Sequence, residues 1–100
     1  MIAEIQVVPH PPGDDPARSP GATYRHVEAA IAVVAASGLR HEVGALGTTV
    51  EGDPDVVWPV LRRAHEAALT SGATSVVSVV KLFSGTGAAT GMDDLVRGHR

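Results

Sequence analysis

Five polar side chains occupy positions from which they could act on one ligand. Gln6 lies in the first extended segment; Glu42, Thr48, Thr49 and Glu51 lie in the central stretch SGLRHEVGALGTTVEGD, residues 37–53. Side chains of an extended segment alternate between two faces. With Ala3, Ile5 and Val7 pointing at a core, Glu4 and Gln6 point the other way. Glu42 is expected on that second face, together with one of two alternating sets, Thr48 with Val50 or Thr49 with Glu51. Ser78 and Lys81 have opposite parity, so only one of them can join. Carboxylates there could accept charge-assisted hydrogen bonds, roughly twice as strong as neutral ones. The hydroxyls and the amide would add neutral contacts. A water-facing sheet would carry the same residue types, so the cluster alone specifies no ligand.

Other apparent motifs lose their meaning in context. Gly85-Thr86-Gly87-Ala88-Ala89-Thr90-Gly91 follows an extended run and looks like a dinucleotide-binding glycine pattern. Only nine residues follow Gly91, too few for the helix and second strand the motif requires. His65-Glu66 begins like a zinc-protease helix, but Leu69 stands where the second histidine must be. The five histidines have no metal-ligand spacing, and His65, seven residues after Trp58, reads as a structural residue near that ring. With no cysteine, a disulfide, a thiolate nucleophile and a zinc ribbon are excluded. No nucleophile–base–acid arrangement is present, so the expectation is a non-catalytic protein that needs no cofactor or metal. An enzyme using Glu51 or His65 as a base is the alternative.

One hundred residues allow one domain, taken as residues 1–100, with 84–100 as a flexible or oligomer-docking tail. A chain this small buries a modest core, and self-association would help it. Hydrophobic residues make up 44% but aromatics only 3%, so the core must be aliphatic. A net charge of −3 with eight Lys plus Arg argues against nucleic acid as a partner. No basic-then-apolar leader and no apolar run near the ~20 residues that span a bilayer is seen, so a cytoplasmic location without a membrane partner is expected.

The elements follow from periodicity and punctuation. Ile2 to Val8 alternates as a strand and stops at Pro9, which cannot continue a ladder. Residues 9–20 hold five of the seven prolines and read as a stiff exposed loop, a lid or simple slack. Ser19 or Thr23 could cap a helix whose apolar stripe is Tyr24, Val27, Ile31 and Val34 with Ala30 and Ala35. Gly38 closes it. Leu39 to Leu46 reads as a strand, Gly47 as a short connection and Thr48 to Glu51 as the next strand. A second helix, about Asp53 to Ser71, buries Val57, Val60, Leu61, Ala64 and Ala68 and ends before Gly72. Pro59 should kink this helix if Asp53 is the cap, but costs nothing if Asp55 is. Ala73 to Phe83 is valine-rich and reads as a strand buried on much of both faces. Residues 84–91 read as flexible, and Met92 to Arg97 as a last helical turn or a tail docking on a neighbouring subunit. The order βαββαβ, with right-handed crossovers and a central hairpin, predicts a ferredoxin-like α+β sandwich: an antiparallel sheet with two helices on one face and the other face open.

The pattern SGLxxEVGxxGTTVEGD resembles the signature of a small thiamine-binding protein family, the YkoF-like group. IAEIQVVP at the start, Tyr24 in the first helix and AHEAALTSGA in the second strengthen the resemblance, which spans roughly residues 2–83. It implies a ferredoxin-like fold, a homo-oligomer and binding of thiamine or its hydroxymethylpyrimidine half, for storage, salvage or sensing. The chain departs from the family after Lys81, where a more charged lead into a C-terminal helix is expected and LFSGTGAATG stands instead. Thiamine carries a permanent thiazolium cation and an aminopyrimidine with a ring acceptor beside an amine donor. Glu51 or Glu42 would accept from the amine and offset the charge, and Thr48, Thr49 and Gln6 would add neutral contacts. With Tyr24, Trp58 and Phe83 the only aromatics, the flat ring needs an aliphatic slot or a site shared between subunits. The expected partners are therefore thiamine and a second copy of the chain, a dimer or tetramer joined through the open sheet face. A purely structural or regulatory oligomerisation module is the other competing expectation.

Overall fold

The structure is a computed structural model describing residues 1–10, 22–86 and 91–99, apart from the side chains of Ala22 and Thr23. Most of the proline-rich loop, the Ser19 cap and most of the Gly/Ala/Thr run before Gly91 lie outside the described residues.

Strand β1 (Ile2–His10) leads to helix α1 (Ala22–Ala36), strands β2 (Arg40–Val43) and β3 (Thr48–Glu51), helix α2 (Pro54–Thr70) and strand β4 (Ser75–Phe83). A helical turn, α3 (Met92–Val96), and a short 3-10 turn follow. The sheet is antiparallel in the order β2-β3-β1-β4, the ferredoxin-like α+β topology expected from the element order.

Both helices owe their ends to local chemistry. Gly38 at φ +77° and Gly72 at φ +114° adopt backbone angles that side chains with a Cβ resist. Asp53 caps α2, its Oδ1 accepting from the Asp55 amide at 2.8 Å, and Pro54 opens the helix. Pro59 is thus the sixth helical residue; α2 continues through it, with Pro59 exposed to solvent. The carbonyl left unpaired there, that of Asp55, lies near the helix start, where water can replace the lost bond.

The expected α2 stripe is buried without exception, from Val57 to Ala68. It packs with Ala30 and Val34 of α1 and with Ala3, Ile5 and Val50 of the sheet. Each fully buried Val, Leu or Ile contributes roughly 1.5–3 kcal/mol. α1 is rotated from expectation. His26 is fully buried, while Tyr24 is 63% exposed and Ala35 is exposed. The inward row is therefore His26, Ala30, Val34, one residue every fourth position. Ser71 explains how an imidazole is accommodated. Its hydroxyl donates to the Ala68 carbonyl at 2.8 Å and so accepts from His26 Nδ1–H, joining the two helices. The start of α1 at Ala22 puts Thr23 inside the first turn, so Thr23 is not the cap.

Two strand expectations need correction. β2 ends at Val43, and residues 44–47 form the hairpin connection, closed by the Gly44 amide on the Gly47 carbonyl at 2.8 Å. The two glycines bracket the turn, and Leu46 at its tip is 79% exposed. β4 is not buried on both faces. It is an edge strand, and Val77, Val79, Val80, Leu82 and Phe83 are all exposed in the single chain. A valine run reports preference for extended backbone; position within the sheet decides burial.

Candidate functional site

Register settles which way the candidate residues face. Ala3 lies opposite Val50, and both are fully buried, so odd positions of β1 and even positions of β3 face the helices. Glu4 and Gln6 therefore face the open side, with Thr49 and Glu51 rather than Thr48 and Val50. Glu42 is paired with Thr49 and Arg40 with Glu51, so they share that side. Ser78 lies opposite Val7 on the helix side, and Lys81 opposite Glu4 on the open side.

The open face carries two kinds of surface. One row across the sheet reads Glu42, Thr49, Glu4, Lys81, with Lys81 Nζ 3.9 Å from Glu4 Oε1. The next reads Arg40, Glu51, Ile2, Phe83. Towards β4 the face turns apolar, with Val8, Val77, Val79 and Phe83 exposed. Glu51 is already engaged: its Oε2 accepts from the Met92 amide at 2.8 Å, and its Oε1 lies 3.6 Å from Arg40 Nε. Gln6, Glu42, Thr49 and Glu51 are thus brought onto one face, and Thr48 is separated from them.

Thr48 faces a cleft on the opposite side of the sheet. The cleft has a volume of about 260 Å³ and lies between α1 and the β2–β3 hairpin, over the middle of β1. Tyr24, Val27 and Ile31 form the helix wall; Val43 and residues 44–47 form the hairpin wall; Ile5, Val7 and Thr48 lie beneath. Gln6 borders it too, although its parity puts its Cβ on the open face, so its main chain is the part nearest the cleft. Tyr24, Val27 and Ile31 belong to the stripe read from the sequence as core. They line a cleft instead because the inward row of α1 is His26, Ala30, Val34.

The local fold makes this space. β1 pairs with β3 only through Ile5, whereas its pairing with β4 continues to His10. The hairpin turns away at Gly47, where an added Cβ would lie 3.1 Å from the Ile5 carbonyl oxygen. Beyond Ile5 the β3-side edge of β1 has no strand partner among the described residues.

The lining is apolar apart from a few hydrogen-bonding groups. Among the described residues it contains the hydroxyls of Thr48 and Tyr24 and main-chain groups, but no Asp, Glu, Lys, Arg or His. Thr48 is 5% exposed and its side chain has no hydrogen-bond partner among the described residues, but its hydroxyl opens onto the cleft; the buried, unpartnered side-chain polar atom among the described residues is His26 Nε2. A ring entering the cleft takes water from this hydroxyl, and leaving it unpaired then costs roughly 1–3 kcal/mol, so a ligand that supplies a partner is favoured at that atom. Such a cleft suits a flat, largely uncharged ring with one or two edge hydrogen bonds. Among the described residues it offers no general base and no metal ligands, and no group of three or more potential metal ligands exists. His65 lies elsewhere, its Nδ1 2.6 Å from Ser78 Oγ. The hairpin wall was missed in the sequence because Ala45 and Leu46 read as strand; the bracketing pair Gly44 and Gly47 was the available signal.

Known proteins agree with this architecture. The sequence profile of the family described as thiamine-binding protein matches residues 3–100. A UPF0045 protein of Clostridium perfringens is 32% identical over 77 residues, 77% of this chain and 80% of that protein. A UPF0045 protein of Synechocystis is 34% identical over 73 residues, 73% of this chain and 60% of that protein. A solved domain of unknown function, DUF77, from Bacillus cereus superposes with a TM-score of 0.85 at 34% identity, covering 99% of this chain and 88% of the other. A Thermotoga maritima protein provisionally assigned to thiamine biosynthesis or salvage has the same fold, with a TM-score of 0.79 at 22% identity and 99% and 97% coverage. The sequence resemblance and these matches converge: the chain belongs to the thiamine-binding protein family.

Proposed function

We propose that the protein binds thiamine or its hydroxymethylpyrimidine half without transforming it, in a cytoplasmic storage, salvage or sensing role. The observation that carries this reading is the Thr48 hydroxyl, which opens onto an otherwise apolar cleft with no protein partner among the described residues. At about 260 Å³ the cleft is slightly below the usual ~300–1,000 Å³ of small-molecule sites, the size of a single-ring heterocycle rather than a dinucleotide. The aminopyrimidine enters, its edge meeting Thr48 and the β1 edge that has no strand partner among the described residues, with aliphatic walls on both ring faces and Tyr24 at the helix side. The thiazolium, a permanent cation, stays towards the mouth, because the lining holds no carboxylate among the described residues to offset it.

This reading moves the ring from the carboxylate cluster of the open face to the cleft behind it. Gln6 and Thr48 keep a part in the site, while Glu42, Thr49 and Glu51 fall outside it. The open face serves a second proposed role, association with another copy of the chain. Its exposed Val8, Val77, Val79 and Phe83 would lose contact with water there.

Isothermal titration calorimetry with thiamine and, separately, with hydroxymethylpyrimidine tests the reading. The expected result is saturable binding of both, weakened by Thr48→Val and left within about twofold by Glu42→Gln. Absence of heat and of any thermal shift at millimolar ligand would overturn it. Loss of binding in Glu42→Gln, with Thr48→Val unaffected, would return the site to the open face.

A further inference from the structure

The C-terminal turn α3 touches the sheet at one corner, the open end of the β2–β3 hairpin. Arg40 and Glu51 are the terminal registered pair there. The tail bridges the two strands: the Met92 amide donates to Glu51 Oε2 at 2.8 Å, and the Asp93 carboxylate pairs with the Arg40 guanidinium. Gly91 packs against the same carboxylate so closely that a Cβ would lie 3.1 Å from Oε2. Met92 is 5% exposed, and the turn is braced by the Gly91 amide on Asp94 Oδ2 at 3.0 Å.

β2 is the short outer strand of the sheet. All four of its residues are exposed, and it pairs with β3 alone. Yet β2 ends in Val43 and carries the hairpin wall of the cleft, whereas the facing wall, α1, is anchored in the core by Ala30 and Val34. The cleft therefore has one fixed wall and one wall whose position depends on how firmly β2 is kept on β3.

We propose that the segment Gly91–Asp93, acting through Arg40 and Glu51, positions the β2–β3 hairpin and thereby sets the width of the cleft and its affinity for the ring. The inference rests on the cleft being the ligand site. Arg40, Glu51 and the tail are positioning residues and touch no ligand. Tail docking and ligand binding favour the same hairpin position, so each strengthens the other by the same factor.

The test uses the full chain carrying Arg40→Gln, Arg40→Lys or Gly91→Ala, with hydrogen exchange of the ligand-free protein and calorimetry with thiamine. Expected for Arg40→Gln is exchange about tenfold faster in residues 40–50, equivalent to 1.4 kcal/mol, with the β1 and β4 amides unchanged. Its thiamine Kd rises about threefold to tenfold, its melting temperature moves by less than about 2 °C, and Arg40→Lys recovers part of both effects. Gly91→Ala perturbs the same carboxylate from the tail side and moves hairpin exchange in the same direction. Unchanged hairpin exchange overturns the positioning role. Faster exchange with an unchanged Kd overturns the link to the cleft. A uniform rise in exchange across the sheet, with a matching fall in melting temperature, shows ordinary destabilisation and overturns it as well. If the unmodified chain binds no thiamine, the ligand reading fails by itself, and hairpin exchange still decides whether the tail holds β2.

Discussion

Replacing Thr48 with valine separates what the cleft does for the fold from what it does for a ligand. The two side chains have nearly the same shape, so the change removes one hydroxyl and little volume. In the free protein Thr48 is 5% exposed, and its hydroxyl, without a partner among the described residues, opens onto the cleft. An unsatisfied buried polar group costs roughly 1–3 kcal/mol, but water entering the cleft mouth would recover part of that. Thr48→Val should therefore lie between neutral and about 1 kcal/mol more stable, a rise in melting temperature of up to ~4–8 °C for a domain of this size. Binding should move the opposite way. The ring loses a hydrogen bond and leaves its own polar edge facing a methyl group, weakening thiamine or hydroxymethylpyrimidine about tenfold, or 1.4 kcal/mol. Differential scanning calorimetry and isothermal titration calorimetry on the same preparations give both numbers. A fall in stability of more than about 1 kcal/mol would mean that the hydroxyl is satisfied in the free protein, and unchanged affinity would mean that no ligand uses it. Either result refutes the reasoning; opposite signs of the two effects support it.

Other perturbations probe separate parts of the structure. Ser71→Ala leaves the fully buried His26 ring without its Nδ1 acceptor and should cost roughly 1–3 kcal/mol in urea denaturation. Asp53→Ala removes the cap on the Asp55 amide and should cost about 1 kcal/mol by the same measurement. Gly72→Ala should be more damaging than Gly38→Ala, because φ +114° lies farther from the left-handed well near +57° than φ +77° does; the difference in denaturation midpoint checks it. Val79→Glu places a charge at the centre of the apolar half of the open face and should convert the proposed oligomer to monomer in light scattering, with the far-ultraviolet spectrum unchanged.

Much of the architecture was legible because its determinants are local. Gly38 and Gly72 end helices through their own backbone freedom, Asp53 caps with its own side chain, and Val57 to Ala68 repeat at helical spacing. What was not legible depends on partners remote in sequence. Whether Thr48 or Thr49 faces the helices is decided by pairing with Ile5 or Glu4, and nothing inside TTVE fixes it. The burial of β4 depended on its place at the sheet edge, although its valines look the same in either setting. The rotation of α1 followed from Ser71, 45 positions from His26, which turned a polar residue into a core residue. At the candidate site the residue types were foreseen but not their distribution between two faces. Glu51 attracts notice as a β-strand carboxylate, yet its partners are Arg40 and the Met92 amide.

The place of β1 in the sheet has a consequence for how the molecule comes into being. All nine of its residues are registered with β4, at separations from 65 positions (His10 to Ser75) to 81 (Ile2 to Phe83). At synthesis rates of roughly 5–20 residues per second, β1 waits on the order of 3–16 s for that neighbour. Helix α1, the β2–β3 hairpin and helix α2 can all take shape during the delay, since their contacts are closer in sequence. The sheet remains a three-strand fragment, β2-β3-β1, with one long side of β1 unpaired. Such non-local closure slows folding and leaves an interval in which another nascent or unfolded chain can compete for the same edge. Completion of this fold is therefore timed by the arrival of its valine-rich last strand, and crowding of unfinished copies is when it is most vulnerable.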